Sequence, residues 1–201
     1  MRRLIEEQQL LSVVQSKNIA WCGHRFPSGR DTITQQDSVL ILRPAMEFSV
    51  VEANVWGQLM YSCEIEHLEG EGEQQVAYIH LDCLLGNILV VLEYARIFYG
   101  EIGHNGLLLL RTSLKRVQGK PFLYFRYDLP KIGPSSRIDN EISFDISSST
   151  VRLNEQRDEV ASDLFKVLFF SLNWSQQGVN TSRITELLNA AKSYNNWHQR
   201  V

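Results

Sequence analysis

Three short segments carry residue types that could do chemistry. Cys22-Gly23-His24 sets a thiol and an imidazole two positions apart. Such a pair could begin a zinc site or pair a nucleophile with its base. A zinc site needs four ligands and a nucleophile needs an oriented base, and neither set is completed nearby. Burial of Cys22 as a small apolar group is the simpler reading. His80-Leu81-Asp82 places an imidazole beside a carboxylate. It could be an acid–base pair. It also fits a capping cluster, with Asp82 near the positive end of a helix and His80 just outside it. The segment His24-Arg25-Phe26-Pro27-Ser28-Gly29-Arg30 is the most site-like. Arg25 and Arg30 flank a glycine-containing turn whose backbone amides could face an anion, and each guanidinium could grip phosphate with two hydrogen bonds. A solvated surface loop with Phe26 tucked inward is the plain alternative.

A second basic cluster is Arg111, Lys115, Arg116 and Lys120, followed by Phe122, Tyr124 and Arg126 at alternating positions. Cations beside aromatic rings on a strand could track a nucleic-acid backbone and stack its bases. The aromatic–glycine pattern of an RNA-recognition strand is missing from Gln118-Gly119-Lys120-Pro121. Aromatics in such a strand also serve as one half of a sheet's core. Trp174 and Trp197 flank the last helical segment and suit a partner surface.

No GxGxxG follows a strand and no GxxxxGK[ST] occurs, so neither common phosphate-cradling loop is present. HExxH, GxSxG and DxDxDG are absent as well. These observations assign no catalytic residue, no metal ligand and no cofactor.

The chain has 201 residues and a formal net charge of −3, with 44% apolar and 21% charged residues. That size suits one domain with a core of its own. The charge gives no global signal for nucleic acid, although local patches can still act. Cys22, Cys63 and Cys83 are odd in number and form no CxxC, which fits thiols in a reducing compartment. The opening MRRLIEEQQLLSVV is interrupted by acids and amides and matches no targeting peptide. No apolar run approaches the roughly 18 residues that span a bilayer.

The segment from His80 to Lys120 has the clearest structural pattern. Leu81, Leu84, Leu85, Ile88, Leu92, Ala95, Tyr99 and Ile102 step mostly by three and four, which predicts one helix from Leu84 to Ile102. Leu89, Val91 and Phe98 widen its apolar surface, so it is expected to be covered on more than one side. Gly103 stands where a left-handed cap belongs, and Asn105-Gly106, which tolerates positive φ, is expected to turn the chain. The run Leu107 to Leu110 then predicts a strand buried on both faces.

Elsewhere, residues 3–15 show helical spacing. Strands are expected near 19–22, 38–42, 47–53, 58–65, 121–127 and 141–146, with 23–34, 70–73 and 133–136 as loops. Ser147 to Thr150 is the best linker candidate. Ala161, Leu164, Phe165, Leu168, Phe169 and Leu172 share a helix face that Asn154 could cap. A last helix should start at Thr181 or Ser182, with Ile184, Leu187, Leu188, Ala191 and Tyr194 on one stripe. Strands in groups around one long helix point to α+β with mainly antiparallel pairing.

The segment Tyr78 to Gly119 also resembles a region of bacterial Schlafen-like proteins associated with DNA or ATP binding, where it lies downstream of their AlbA-like domain. The residues that carry the likeness are Ile79-His80-Leu81, Leu92-Glu93-Tyr94-Ala95-Arg96, Phe98-Tyr99, Glu101-Ile102-Gly103, Asn105-Gly106, Leu114 and Val117-Gln118-Gly119. They span about a fifth of the chain. The AlbA-like domain itself is not evident, so no DNA- or nucleotide-binding residue carries over. The resemblance implies an accessory module of a bacterial cytoplasmic protein that works with a nucleic-acid-related partner.

The sequence therefore predicts a single α+β domain over 1–201, with 151–201 as a candidate helical appendage. Its architecture is a largely antiparallel central sheet, one long central helix and two C-terminal helices. The expected function is that of a non-enzymatic accessory, sensor or interaction module in a bacterial nucleic-acid-associated system. The alternative is a small-molecule or nucleotide-binding domain built on the Arg25–Arg30 loop. Candidate anion or nucleic-acid contacts are Arg25, Arg30, Arg111, Lys115, Arg116, Lys120, Tyr124 and Arg126. The partner is expected to be a protein or a second copy, with nucleic acid as a further candidate and no membrane.

Overall fold

The computed structural model describes residues 20–21, 24–25, 31–34, 38–43, 49–54, 56–69, 76–123, 140–172, 184–186 and 188–189. The fold is α+β with mainly antiparallel pairing. The short strands β1 (Ala20–Trp21) and β2 (His24–Arg25) form one antiparallel pair. Four strands then run as an antiparallel meander: β3 (Asp31–Thr34), β4 (Ser38–Arg43), β5 (Ser49–Asn54) and β6 (Leu59–Cys63). Strand β7 (Glu66–Glu69) pairs antiparallel with β8 (Val76–His80). On its other edge β8 pairs parallel with β10 (Phe122–Leu123).

Strand β8 passes without a loop into the long helix α1 (Leu81–Glu101). Its apolar residues are spread around much of its circumference, and residues 84–90 are all buried, Gly86 and Asn87 among them. Leu81, Leu85, Leu89 and Leu92 enter the main core, while Phe98 packs in a smaller cluster with Ala53 of β5. The covering on more than one side follows from that distribution. The helix stops in the expected way. Gly103 adopts φ +66°, the His104 amide donates to the Tyr99 carbonyl at 3.0 Å, and the Gly103 amide donates to the Gly100 carbonyl at 3.1 Å. Those two bonds satisfy carbonyls that a helix end leaves without partners. Gly103 takes the positive φ, and neither Asn105 nor Gly106 does.

Strand β9 (Leu107–Lys115) pairs with β11 (Glu141–Ser149) in nine consecutive antiparallel steps, from Leu107 opposite Ser149 to Lys115 opposite Glu141. One face of this ribbon holds Leu108, Leu114, Ile142, Phe144 and Ser148, all buried. The other face is open. Leu107 is 81% exposed and Leu109 61%. The expectation that Leu107 to Leu110 is buried on both faces is therefore wrong. Among the described residues helices cover only one side of these two strands, so alternation along the strand divides the leucines between core and solvent.

The ribbon's end is closed by a short reciprocal link. The Thr150 amide donates to the Gly106 carbonyl at 3.0 Å, and the Gly106 amide donates to Thr150 Oγ1 at 3.1 Å. Helix α2 (Thr150–Glu155) starts at that point, capped by Ser149, whose hydroxyl accepts from the Arg152 amide at 3.1 Å. Ser147 to Thr150 is thus strand end and helix start rather than a linker. Asn154, expected to cap the helix that carries Ala161 to Leu172, lies inside α2, and that helix begins after Gln156 with no side-chain cap. Helix α3 (Arg157–Ser171) follows after Gln156. Its buried stripe is Val160, Ala161, Leu164, Phe165, Leu168 and Phe169, and Leu172 is buried just beyond its end. Residues 184–186 and 188–189 are helical, and Ile184 and Leu188 join the same core. That core also holds residues of β8, α1, β9, β10, β11 and α2.

One other expectation changes. Residues 23–34 contain strands β2 and β3 rather than a continuous loop. Strand β8, at 76–80, is an element that the sequence reading lacks. Residues 3–15, 70–73, 133–136, Trp174 and Trp197 lie outside the described residues.

Candidate interaction surface

The second basic cluster is only partly brought together. Arg111 and Lys115 stand two rows apart on the open face of the β9–β11 ribbon. The register places Asp145 opposite Arg111 and Glu141 opposite Lys115. Arg111 Nη2 lies 3.4 Å from Asp145 Oδ2, and Lys115 Nζ lies 3.9 Å from Glu141 Oε1. Between them Ser113 and Ser143 share a hydroxyl hydrogen bond of 2.8 Å. Lys120 lies elsewhere, ion-paired with Glu66 of β7. Arg116 leaves the end of β9 with φ +60° and is exposed.

Three of these four cations therefore face a carboxylate, and the ribbon carries alternating charge in place of a positive stripe. Cross-strand pairs of this exposure contribute a few tenths of a kcal/mol each and mainly help fix the register. Phe122, expected to offer a stacking ring, is fully buried in the core. Tyr124 and Arg126 lie outside the described residues. So does Arg30. Arg25 lies in β2 opposite Ala20, and its side chain is outside the described set. The same holds for Cys22 and for the side chains of His80 and Asp82. The backbone puts His80 at the end of β8 and Asp82 in the first turn of α1.

The open face carries a second feature, its apolar end. Leu107 and Leu109 project beside Ser149 and Ser147, their partners on β11. Small serines opposite leucines leave the leucine side chains standing above the surface. Single exposed leucines are ordinary, but two on one face of a regular strand begin a patch.

A polar cleft of about 450 Å³ lies where α1 meets the α2–α3 junction, lined by Glu93, Arg96, Asn154, Gln156, Arg157 and neighbouring acids. No sequence pattern singles it out. Arg96 grips Glu93 with two hydrogen bonds, Nη2 to Oε1 at 2.6 Å and Nε to Oε2 at 3.0 Å. Arg157 Nη1 approaches Glu93 Oε2 at 2.5 Å. Burial alone would raise the Glu93 pKa, but the hydrogen bonds and positive charges of Arg96 and Arg157 outweigh it and hold the carboxyl below its usual range. Glu93 is therefore a clasp between helices, ionised and doubly gripped, and unsuited to act as a general acid. Arg152 makes a similar bond to Asp163, at 2.7 Å, between α2 and α3.

The clasp has a pH consequence. A carboxyl with a depressed folded pKa contributes stability above its unfolded value and loses it as pH falls through the folded one. Glu93→Gln is expected to lower stability by about 1–2 kcal/mol at neutral pH. The gap between parent and variant should close as pH drops below about 4. Urea unfolding of both proteins across that range checks this, and a gap that widens in acid would contradict it.

Two tyrosines tie the meander to α1. The Tyr61 hydroxyl donates to Asn87 Oδ1 at 2.7 Å, and the Tyr99 hydroxyl donates to the Gly57 carbonyl at 2.9 Å. Among the described residues no group of three or more His, Cys, Asp and Glu is arranged to hold a metal ion. No described helix is long and apolar enough to cross a membrane. No family model matches the chain, and no curated protein or solved structure matches it either.

Proposed function

We propose that the protein is a non-enzymatic accessory or sensor module of a bacterial nucleic-acid-associated system, working in the cytoplasm through association rather than turnover. The observation that carries this reading is the open face of the β9–β11 ribbon. Leu107 and Leu109 are held out to solvent on a regular strand whose other face is anchored in the core. A rigid element presenting apolar side chains beside paired charges has the composition of a recognition surface. The nucleic-acid setting rests on the resemblance of Tyr78 to Gly119. On this reading the ribbon's cations serve protein contacts, because Arg111 and Lys115 already face acids.

The test is a titration of the whole protein with labelled single strands, duplexes and mononucleotides at low salt, together with an activity screen over nucleotides, phosphoesters and peptides. The expected results are no turnover and no salt-steep binding that depends on Arg111 or Lys115. Turnover lost on changing His80 or Asp82 to Ala would overturn the reading. Mononucleotide binding lost on changing Arg25 and Arg30 to Glu would move the function to that loop.

A further inference from the structure

We infer that the open face of the β9–β11 ribbon pairs with the same face of a second copy of this chain, about a two-fold axis parallel to the strands. This rests on the reading of that face as the interaction surface and names its partner.

The order of side chains on the face carries the inference. On β9 the outward residues are Leu107, Leu109, Arg111, Ser113 and Lys115. On β11 the residues opposite them are Ser149, Ser147, Asp145, Ser143 and Glu141. One strand is bulky and basic, and its neighbour is small and acidic. Two ribbons stacked face to face can be related by a two-fold axis along the strands or across them. An axis along the strands lays β9 of one copy over β11 of the other at the same level. Each leucine then sits over a serine, Arg111 over Asp145 of the second copy, and Lys115 over Glu141 of the second copy. Bulk meets space and each charge meets its opposite, twice over.

An axis across the strands lays β9 over β9 with its direction reversed. Arg111 would face Arg111 and Leu107 would face Lys115, which like-charge repulsion and desolvation disfavour. The pattern therefore selects one arrangement of the two. Stacked sheets also rotate by about 30° against each other. Such a rotation preserves alignment best at the centre, and the central row of five is Arg111 with Asp145.

The size of the face sets the strength. Nine residues at about 3.3 Å each give a strip roughly 30 Å long, and two strands make it about 10 Å wide. That is well short of the ~800 Å² per side of a standard interface, so the association is weak and reversible. Its charged rows are exposed, so it weakens further with salt.

The test uses the full chain in sedimentation equilibrium at low salt, from micromolar to millimolar concentration. The parent is expected to form a dimer. Arg111→Asp and Asp145→Arg should each weaken it about tenfold or more, because each creates two like-charge contacts in the pair. Mixed one to one, these two variants should recover a heterodimer. The aspartate introduced at position 111 of one chain then meets the arginine introduced at position 145 of the other, and the native Arg111 and Asp145 meet at the second contact. A chain carrying both changes should dimerise like the parent, and it also controls for any loss of folding in the single variants. A parent that stays monomeric overturns the pairing. So do single variants that dimerise as well as the parent, or a mixture that stays monomeric. The proposed function is judged separately, by turnover and nucleotide binding, whatever the oligomeric state.

Discussion

Leu92→Asp is expected to leave the protein largely unfolded or close to it. Leu92 sits at the middle of α1 with 1% of its surface exposed, inside the main core. The substitution removes about 2 kcal/mol of apolar burial. It also places a carboxyl where no partner waits, which costs roughly 2 kcal/mol more even if the group stays protonated. A loss of about 4 kcal/mol or more consumes most of the stability of a domain at the lower end of the usual range of roughly 5–15 kcal/mol. Circular dichroism during thermal and urea unfolding reads it directly. A variant that keeps the parent's melting temperature would contradict the placement of α1.

Phe165→Ala is the second large effect, and it addresses whether the C-terminal helices belong to the main unit. Phe165 is fully buried on α3, in a core that α3 shares with α1 and with the ribbon. Truncating a buried phenylalanine costs about 3–5 kcal/mol. For a chain of this size that lowers the melting temperature by roughly 10 °C. Glu93, Arg96 and Arg157 tie α1 to the start of α3, so the whole core should shift in one transition. A separate low-temperature transition, with the main one unmoved, would show that α3 is an appendage after all.

The elements legible in the sequence are those whose signal is local. Helix α1 is readable because its apolar steps repeat over five turns and end at Gly103. The stripe on α3 is readable for the same reason. What the sequence hides is pairing. Leu107 to Leu110 looks the same whether helices cover one face of the strand or both, and only the tertiary arrangement decides. Arg111, Lys115, Arg116 and Lys120 read as a basic patch because they lie close along the chain. The acids that face three of them are far away in sequence, Asp145 34 positions beyond Arg111 and Glu66 54 positions before Lys120 among them. The Glu93–Arg157 contact spans 64 positions, so only the close pair Glu93 and Arg96 carries a local hint. Ser149 reads as part of a linker because a run of serines resembles one. Its role as a cap appears only once β11 is known to reach it. Strand β8 escapes a sequence reading because it joins α1 directly, with no glycine or proline to mark the boundary.

The central proposal is that the open face of the β9–β11 ribbon is where this protein meets a second copy of itself. The most direct measurement is a nuclear magnetic resonance dilution series on isotopically labelled protein, from micromolar to millimolar concentration. The predicted result is concentration-dependent shifts confined to the outward residues of 107–115 and 141–149, centred on Arg111 and Asp145, with the core and the Glu93 clasp unmoved. Spectra that do not change with concentration, or changes centred on any other surface, would contradict it.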